Sequence, residues 1–85
     1  MVCYKILFKK SAQKDLKKIP KGYISKILEK IEILSKDPYP TGCKKLANSD
    51  SYRIRIADYR VIYSVYDVVE IVQIERIRHR KEVYR

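Results

Sequence analysis

Three arginines fall within residues 52–63, a segment in which polar and apolar residues alternate, and their spacing is suited to holding a chain of phosphates. Side chains alternate between the two faces of a β-strand, so Arg53 and Arg55 share one face. If the two-residue loop Ala57-Asp58 joins two antiparallel strands, Arg60 lies directly opposite Arg55 on that face. Like charges placed opposite each other destabilise a β-ladder by up to about 1 kcal/mol per pair. A polyanion bound across this face would explain the arrangement.

The other face of the same hairpin is predicted to be apolar and to point towards a core. With the two-residue loop, the residues that pair across the strands are Ile56 with Tyr59, Ile54 with Val61, and Tyr52 with Tyr63. A loop of three or four residues would change these partners, but Arg53 and Arg55 would still share a face. The segment is therefore predicted to separate a core side from a cationic side.

A second group of candidate site residues lies near the end of the sequence. Arg78 adds another guanidinium group, His79 adds an imidazole, a group that titrates near neutrality, and Tyr84 adds a phenol. RNA cleavage without a metal needs such a mixture, because the 2′-OH must lose a proton, the pentavalent phosphate must be stabilised, and the leaving 5′-oxygen must gain a proton. The alternative is structural: a lone histidine is more often structural or solvated than catalytic, and tyrosines often cap a core.

The charge of the chain indicates an anionic partner. Twenty lysines and arginines stand against ten acidic residues, which gives a formal net charge of +10. Such a balance favours nucleic acid, an anionic membrane surface or an acidic protein as partner. Every lysine except Lys81 precedes residue 46 and every arginine follows residue 52, and arginine is the better bidentate ligand for phosphate. The alternative is that these charges only solvate the surface and protect strand edges.

Several kinds of site are not expected. Cys3 and Cys43 have no metal-binding or redox spacing and are predicted to be reduced, with Cys3 in a buried strand. The acids Glu70, Glu75 and Glu82 are scattered, so no magnesium site and no cofactor are predicted. The sequence has no stretch long enough to span a bilayer and does not begin like a secretory signal, so a cytoplasmic protein without membrane association is expected.

The elements that must position these residues form one predicted α+β domain over residues 1–85. In order they are a strand over 2–8, helices over 11–19 and 23–36, a loop over 37–51, and strands over 52–57, 59–66 and 68–77. Ser11 is the predicted N-cap of the first helix, and Leu46 is predicted to anchor the loop. Each helix has one apolar stripe, so both are expected to pack on one face of a small antiparallel sheet in the order β-α-α-β-β-β. The arginine face is then left open.

The hairpin and the C-terminal segment together resemble a known family. Tyr-Arg-Ile-Arg-Ile-Ala-Asp-Tyr-Arg-Val-Ile-Tyr at 52–63, followed by Arg-His-Arg-Lys-Glu-Val-Tyr-Arg at 78–85, is similar to the RelE/ParE superfamily of toxins from toxin–antitoxin systems. The resemblance extends over nearly the whole chain and implies two helices on an antiparallel sheet. It also implies a cognate antitoxin, for which we expect an acidic or amphipathic helical segment. The RelE-like branch, favoured here, cuts mRNA in the ribosomal A site without a metal, through 2′-OH attack and a 2′,3′-cyclic phosphate.

The resemblance also implies roles for individual residues. Arg53 and Arg55 match two basic strand residues of the family, Arg60 its phosphate-binding arginine, Arg78 the basic residue near the end of the last strand, and Tyr84 its C-terminal tyrosine. The best-known RelE toxins have lysines where this chain has Arg53 and Arg55, and arginine cannot act as a base. The proton acceptor is then His79, Tyr84 or a group on the ribosome.

Two other functions remain open from the sequence. ParE-like members of the superfamily poison DNA gyrase and lack these nuclease residues. A plain RNA-binding module would need only the basic face and would not be toxic.

Overall fold

The order of the elements along the chain is strand, two helices and four strands in the computed structural model, which describes residues 3–47 and 49–79. The elements are β1 (Lys5–Phe8), α1 (Lys10–Lys17), α2 (Lys21–Lys36), β2 (Lys44–Lys45), β3 (Ser51–Ile56), β4 (Tyr59–Tyr66) and β5 (Ile71–His79). The predicted fold class and its β-α-α-β-β-β order are confirmed. The structure adds the short strand β2 within the segment predicted to be a loop.

The strands form one sheet in the spatial order β1-β5-β4-β3-β2. Strands β2 to β5 are antiparallel to their neighbours, whereas β1 runs parallel to β5, with Lys5 opposite Ile71. A parallel pair needs a long connection, and here most of the chain lies between the two strands. The predicted antiparallel strands are therefore joined by one parallel strand, β1, at the edge of the sheet. No local pattern in the sequence indicates this parallel pairing.

The hairpin of β3 and β4 has the register predicted from a two-residue loop. Arg55 lies opposite Arg60, Ile56 opposite Tyr59, and Tyr52 opposite Tyr63. The loop requires a positive φ of 53° at Ala57, a conformation that L-residues adopt at a cost. The packing of the two strands therefore fixes a turn that the turn sequence itself does not favour.

Both helices pack on the face of the sheet that was predicted to be apolar. The core combines one stripe of α2 with inward-facing residues of three strands: Ile27, Ile31, Leu34, Ile54, Ile56, Val61, Tyr63, Val72, Ile74 and Ile77. Tyr63 is fully buried, and its hydroxyl donates a hydrogen bond to the Pro38 carbonyl at 2.8 Å. The core thereby also fixes the start of the loop that follows α2.

Helix α1 closes the part of the β5 edge that β1 leaves uncovered. The Lys9 amide donates to the Ile74 carbonyl at 2.9 Å, and the Ser11 hydroxyl donates to the Glu75 carbonyl at 2.7 Å. The Asp15 carboxylate accepts from the Ile77 amide at 2.9 Å. The prediction of Ser11 as N-cap is therefore wrong, because the helix begins at Lys10. The Ser11 side chain instead donates its hydrogen bond to β5.

The loop between α2 and β3 is held mainly by tyrosines. The Tyr39 hydroxyl donates to Asp67 at 3.0 Å, and the Tyr39 ring lies 5.1 Å from that of Tyr52. Leu46, the predicted anchor, is only half-buried, but its amide donates to the Ser51 carbonyl at 2.9 Å. These contacts give the loop a defined position beside the sheet.

Two further expectations concern the cysteines and the membrane. The prediction of a buried Cys3 is wrong: Cys3 is exposed because it precedes the first residue of β1. Cys43 is half-buried, and both thiols are free. Within the described ranges no helix has the length and apolar character needed to cross a bilayer.

Candidate functional site

Three arginines from three adjacent strands form a row across the open face of the sheet. Arg60 on β4 pairs with Arg55 on β3 and with Arg78 on β5, so the three side chains leave the sheet on the same side. Such a row is costly by itself, because like charges face each other at both pairings. Each of its three planar guanidinium groups can bind a phosphate through two parallel hydrogen bonds.

A β-bulge in β5 places Arg78 in this row. Tyr63 pairs with Ile74 and Ile62 pairs with Arg76, which leaves Glu75 as an extra residue between them. Without it, regular pairing would put Ile77 opposite Arg60. The Glu75 carboxylate is fixed by hydrogen bonds from the hydroxyls of Ser51 at 2.9 Å and Ser64 at 2.7 Å.

A second row lies one step further along the strands. Lys44 of the edge strand β2 pairs with Arg53, Arg53 pairs with Ile62, and Ile62 pairs with Arg76. The Arg76 guanidinium turns to α1, where it forms an ion pair with Asp15. Arg76 therefore stabilises the fold. Lys44 and Arg53 instead lie on the open face of the sheet, beside the first row.

Two residues from each row line a cationic cavity of about 170 Å³. Its lining residues are Gly42, Lys44, Arg53, Arg55 and Arg60. All its lining side chains are cationic, and Arg60, at 9% exposure, forms its deepest part. Gly42 has a φ of 96°, which favours glycine at the turn that brings the loop over the sheet. Partial burial weakens solvent screening, so this cavity attracts phosphate more strongly than arginines in free solution would.

His79 lies on the other face of the sheet. It pairs with Tyr59, and the two rings meet edge to face with their centroids 5.2 Å apart. The structure therefore does not bring His79 together with Arg53, Arg55 and Arg60. Side chains alternate between the two faces of β5. Because Arg78 faces the open side, His79 must face the helices.

A second cavity, of about 250 Å³, lies between α1 and the end of β5. It is lined by Asp15, Lys18, Ile19, Tyr59, Arg76, Ile77, Arg78 and His79. Arg78 is thus shared between this cavity and the arginine row. Tyr84, the remaining candidate, lies outside the described residues.

Sequence reasoning missed Lys44 and Asp15. Lys44 precedes the hairpin in a segment with turn residues, and only its pairing with Arg53 shows that it belongs to the cationic face. Asp15 did leave a signal, because it lies three positions after Ala12 on the apolar stripe of α1, where an acid needs a partner. Over residues 3–47 and 49–79, no cluster of three or more His, Cys, Asp or Glu side chains is placed to hold a metal.

Comparison with known proteins agrees with this architecture. Residues 6–84 match the family described as the ParE toxin of the type II toxin–antitoxin system parDE. The chain is 38% identical over 80 residues to the putative toxin RelE1 of Methanocaldococcus jannaschii, with 89% of each protein covered. The chain therefore belongs to the ParE toxin family, within the RelE/ParE superfamily of type II toxin–antitoxin toxins, and the predicted family is confirmed.

Solved structures agree in fold over almost the full length. The toxin–antitoxin complex RelBE2 from Mycobacterium tuberculosis contains a chain with a TM-score of 0.85 and 29% identity, covering 93% of both chains. The archaeal RelE–RelB complex from Pyrococcus horikoshii OT3 gives a TM-score of 0.82 and 33% identity, covering 92% of this chain and 96% of the other. Both similar structures are of toxins bound to antitoxins.

Proposed function

We propose that this toxin is a metal-independent endoribonuclease that cleaves mRNA in the ribosomal A site and so inhibits translation. The observation that carries the proposal is the cavity formed by Lys44, Arg53, Arg55 and Arg60, a site with the charge and shape to hold a strand of RNA by its phosphates. The similarity to RelE proteins in sequence and fold supports it. The protein would act in the cytoplasm, where mRNA is translated.

The arginines divide the work on the scissile phosphate. Arg60 and Arg78 hold the phosphate from adjacent strands, and Arg53 and Arg55 position the backbone and stabilise the charge of the transition state. The 2′-oxygen attacks phosphorus as its proton leaves, and the bond to the 5′-oxygen breaks. The products are a 2′,3′-cyclic phosphate and a 5′-hydroxyl end.

The proton acceptor for the 2′-OH comes from outside the cavity. Arginine stays protonated, so Arg53 and Arg55 act only on charge. The His79 side chain lies on the helix side of the sheet, away from Arg53, Arg55 and Arg60, but it lines the second cavity together with Arg78. His79, Tyr84 or a group on the ribosome is therefore the candidate acceptor, and a ribosomal acceptor would give a reason for cleavage to depend on the ribosome.

A cognate antitoxin is the second partner. The similar structures from M. tuberculosis and P. horikoshii are toxin–antitoxin complexes. An antitoxin segment that carries acidic residues would neutralise the cationic cavity and compete with mRNA for the same arginine side chains.

Cleavage of translated mRNA by purified protein tests the proposal. Wild-type protein should cut within codons in the A site of programmed ribosomes, with chelator present. Arg60→Ala and Arg55→Ala should each lower the cleavage rate by about 10²–10³, the usual cost of losing one donor to a transition-state charge. Lys26→Ala, on an exposed position of α2, is the matched control and should cut at the wild-type rate. Unchanged cleavage by both arginine variants, with folding verified by circular dichroism, would refute the assignment.

Inhibition of DNA gyrase is the second candidate, because the matching family is described by its ParE member. A gyrase inhibitor binds a protein and needs no chemistry of its own. Induced expression separates the two functions: rapid arrest of translation with cuts inside codons supports the nuclease. An SOS response with intact mRNA supports the gyrase inhibitor.

A further inference from the structure

We infer that Lys44 is a catalytic residue of this site, the donor of the proton that the leaving 5′-oxygen takes up. The inference rests on the proposed nuclease function and assigns a step that none of the arginines can perform. It follows from the position of β2, from the side chains around Lys44 and from the proton chemistry of lysine.

The pairing of β2 with β3 brings Lys44 to the cationic cavity. Lys44 lies opposite Arg53, on the face of the sheet that carries Arg55 and Arg60. It lines the cavity together with those three arginines. Because β2 is the outermost strand, the exposed Lys44 side chain borders the cavity from the open edge of the sheet, where RNA can approach.

The backbone around Lys44 is held in place by hydrogen bonds on both sides. Before it, the Cys43 amide donates to the Pro40 carbonyl at 3.1 Å, and Tyr63 donates to the Pro38 carbonyl. After it, the Leu46 amide donates to the Ser51 carbonyl at 2.9 Å. A backbone held in this way loses less freedom on binding substrate than the backbone of a mobile loop.

Lys44 differs from the other cations of the cavity in its proton chemistry. A guanidinium keeps its proton under all ordinary conditions, whereas an ammonium group can give a proton to a stronger base. Lysine in water carries its proton near neutral pH, and an alkoxide is a far stronger base than an amine. Lys44 can therefore give a proton to the departing oxygen, and its ammonium group becomes a neutral amine in that step.

The proposed step conserves atoms, protons and electron pairs. The bond between the 2′-oxygen and phosphorus forms while the 2′-OH proton goes to the acceptor outside the cavity. The bond between phosphorus and the 5′-oxygen breaks, and its electron pair takes a proton from the Lys44 ammonium. Lys44 then regains a proton from water, and the enzyme is ready for another turnover.

Single-turnover cleavage of short synthetic mRNAs on programmed ribosomes tests the inference. Lys44→Ala and Lys44→Arg should both cut a normal linkage more slowly, by about 10²–10⁴, the usual contribution of a general acid. An RNA whose scissile 5′-oxygen is replaced by sulfur needs no proton donor, so on this substrate both variants should approach the wild-type rate. Lys45→Ala is the matched control: Lys45 pairs with Tyr52 on the helix side and should leave both rates unchanged.

Three results would overturn the inference while leaving the nuclease function standing. Full activity of Lys44→Arg on the normal linkage would show that only charge is needed. An equal loss on the normal and the sulfur linkage would show that Lys44 only binds the substrate. Wild-type rates for Lys44→Ala would show that it has no role. If wild-type protein cuts neither substrate, the proposed nuclease function fails, and this inference fails with it.

Discussion

The Asp15 carboxylate and the Arg76 guanidinium form a two-pronged ion pair across 61 positions of the chain, with Nε–Oδ2 at 2.9 Å and Nη2–Oδ1 at 3.3 Å. The same Oδ2 accepts a hydrogen bond from the Ile77 amide. One short helix is thereby fastened to the last strand of the sheet. The side chain of Asp15 is 10% exposed and that of Arg76 is 41% exposed, so the acid is the buried partner.

Asp15→Ala should destabilise the protein by about 1–3 kcal/mol, because it leaves the buried Ile77 amide without its acceptor. Asp15→Asn should cost less, since the amide oxygen can still accept from Ile77. The free energy of unfolding in urea measures both effects. Asp50→Ala, at an exposed position, is the control and should stay within about 0.5 kcal/mol of wild type. Equal stability of Asp15→Ala and Asp50→Ala would contradict this account of the β5 edge.

Arg55→Thr should raise the free energy of unfolding by about 0.2–1 kcal/mol, because it removes a like charge opposite Arg60 and introduces a good β-former. The same change should weaken RNA binding, so stability and function move in opposite directions. Urea unfolding at low and at high salt checks the cause, since screening reduces repulsion between the arginines and should shrink the gain. A gain that is the same at both salt concentrations would point to strand propensity instead of charge.

Ala57→Gly should stabilise the hairpin by about 0.5–1 kcal/mol. Ala57 has a φ of 53°, which costs an L-residue about 1–2 kcal/mol. Glycine removes this cost, but part of the gain in stability is lost because glycine has more conformational entropy in the unfolded chain. Thermal and urea unfolding provide the measurement. Ala47→Gly, in the loop before β3, is the control and should lower stability, because Ala47 has no positive φ to relieve. A loss of stability for Ala57→Gly would contradict the strained turn.

Alkaline pH should weaken the attachment of the loop that carries Lys44. Burial, followed by the hydrogen bond to Asp67, raises the pKa of Tyr39 to about 12, compared with about 10 in an unfolded chain. Above about pH 10 the unfolded chain therefore loses a proton that the folded protein keeps. The contribution of Tyr39 to stability is intact below that pH and is lost as the pH rises towards about 12.

The comparison of wild type with Tyr39→Phe tests this prediction. The free energy of unfolding should fall less steeply between about pH 9 and about pH 11 in the variant, because phenylalanine has no proton to lose. Part of the fall should remain, since a hydrogen bond to Asp67 raises the pKa of Tyr4 and burial raises the pKa of Tyr63. An identical pH dependence in the two proteins would contradict the role of Tyr39.

The sequence predicts the hairpin well because two local rules act together. Period two assigns each residue to a face, and the two-residue loop fixes the register, so the pairing of Arg55 with Arg60 follows from the order of the residues alone. The same rule already separates Arg78 from His79. Proximity in sequence alone does not show that His79 lies on the helix side, where it lines a cavity together with Arg78.

Other features depend on contacts between distant segments and have no local signal. The parallel pairing of β1 with β5 joins the two ends of the described chain. The bulge at Glu75 shifts the register of β5 by one residue and selects Arg78 as the partner of Arg60. The assignment of Lys44 to the cavity likewise depends on a two-residue strand that forms only beside the finished hairpin.

The place of β5 between β1 and β4 has a consequence for biosynthesis. A ribosome that makes this chain has already released β1, both helices and the hairpin before β5 appears, and until then β1 has no strand to pair with. A chain that stops before residue 71 lacks the strand that joins β1 to β4 and the arginine that pairs with Arg60. Neither the complete sheet nor the row of arginines can therefore form until β5 has been made.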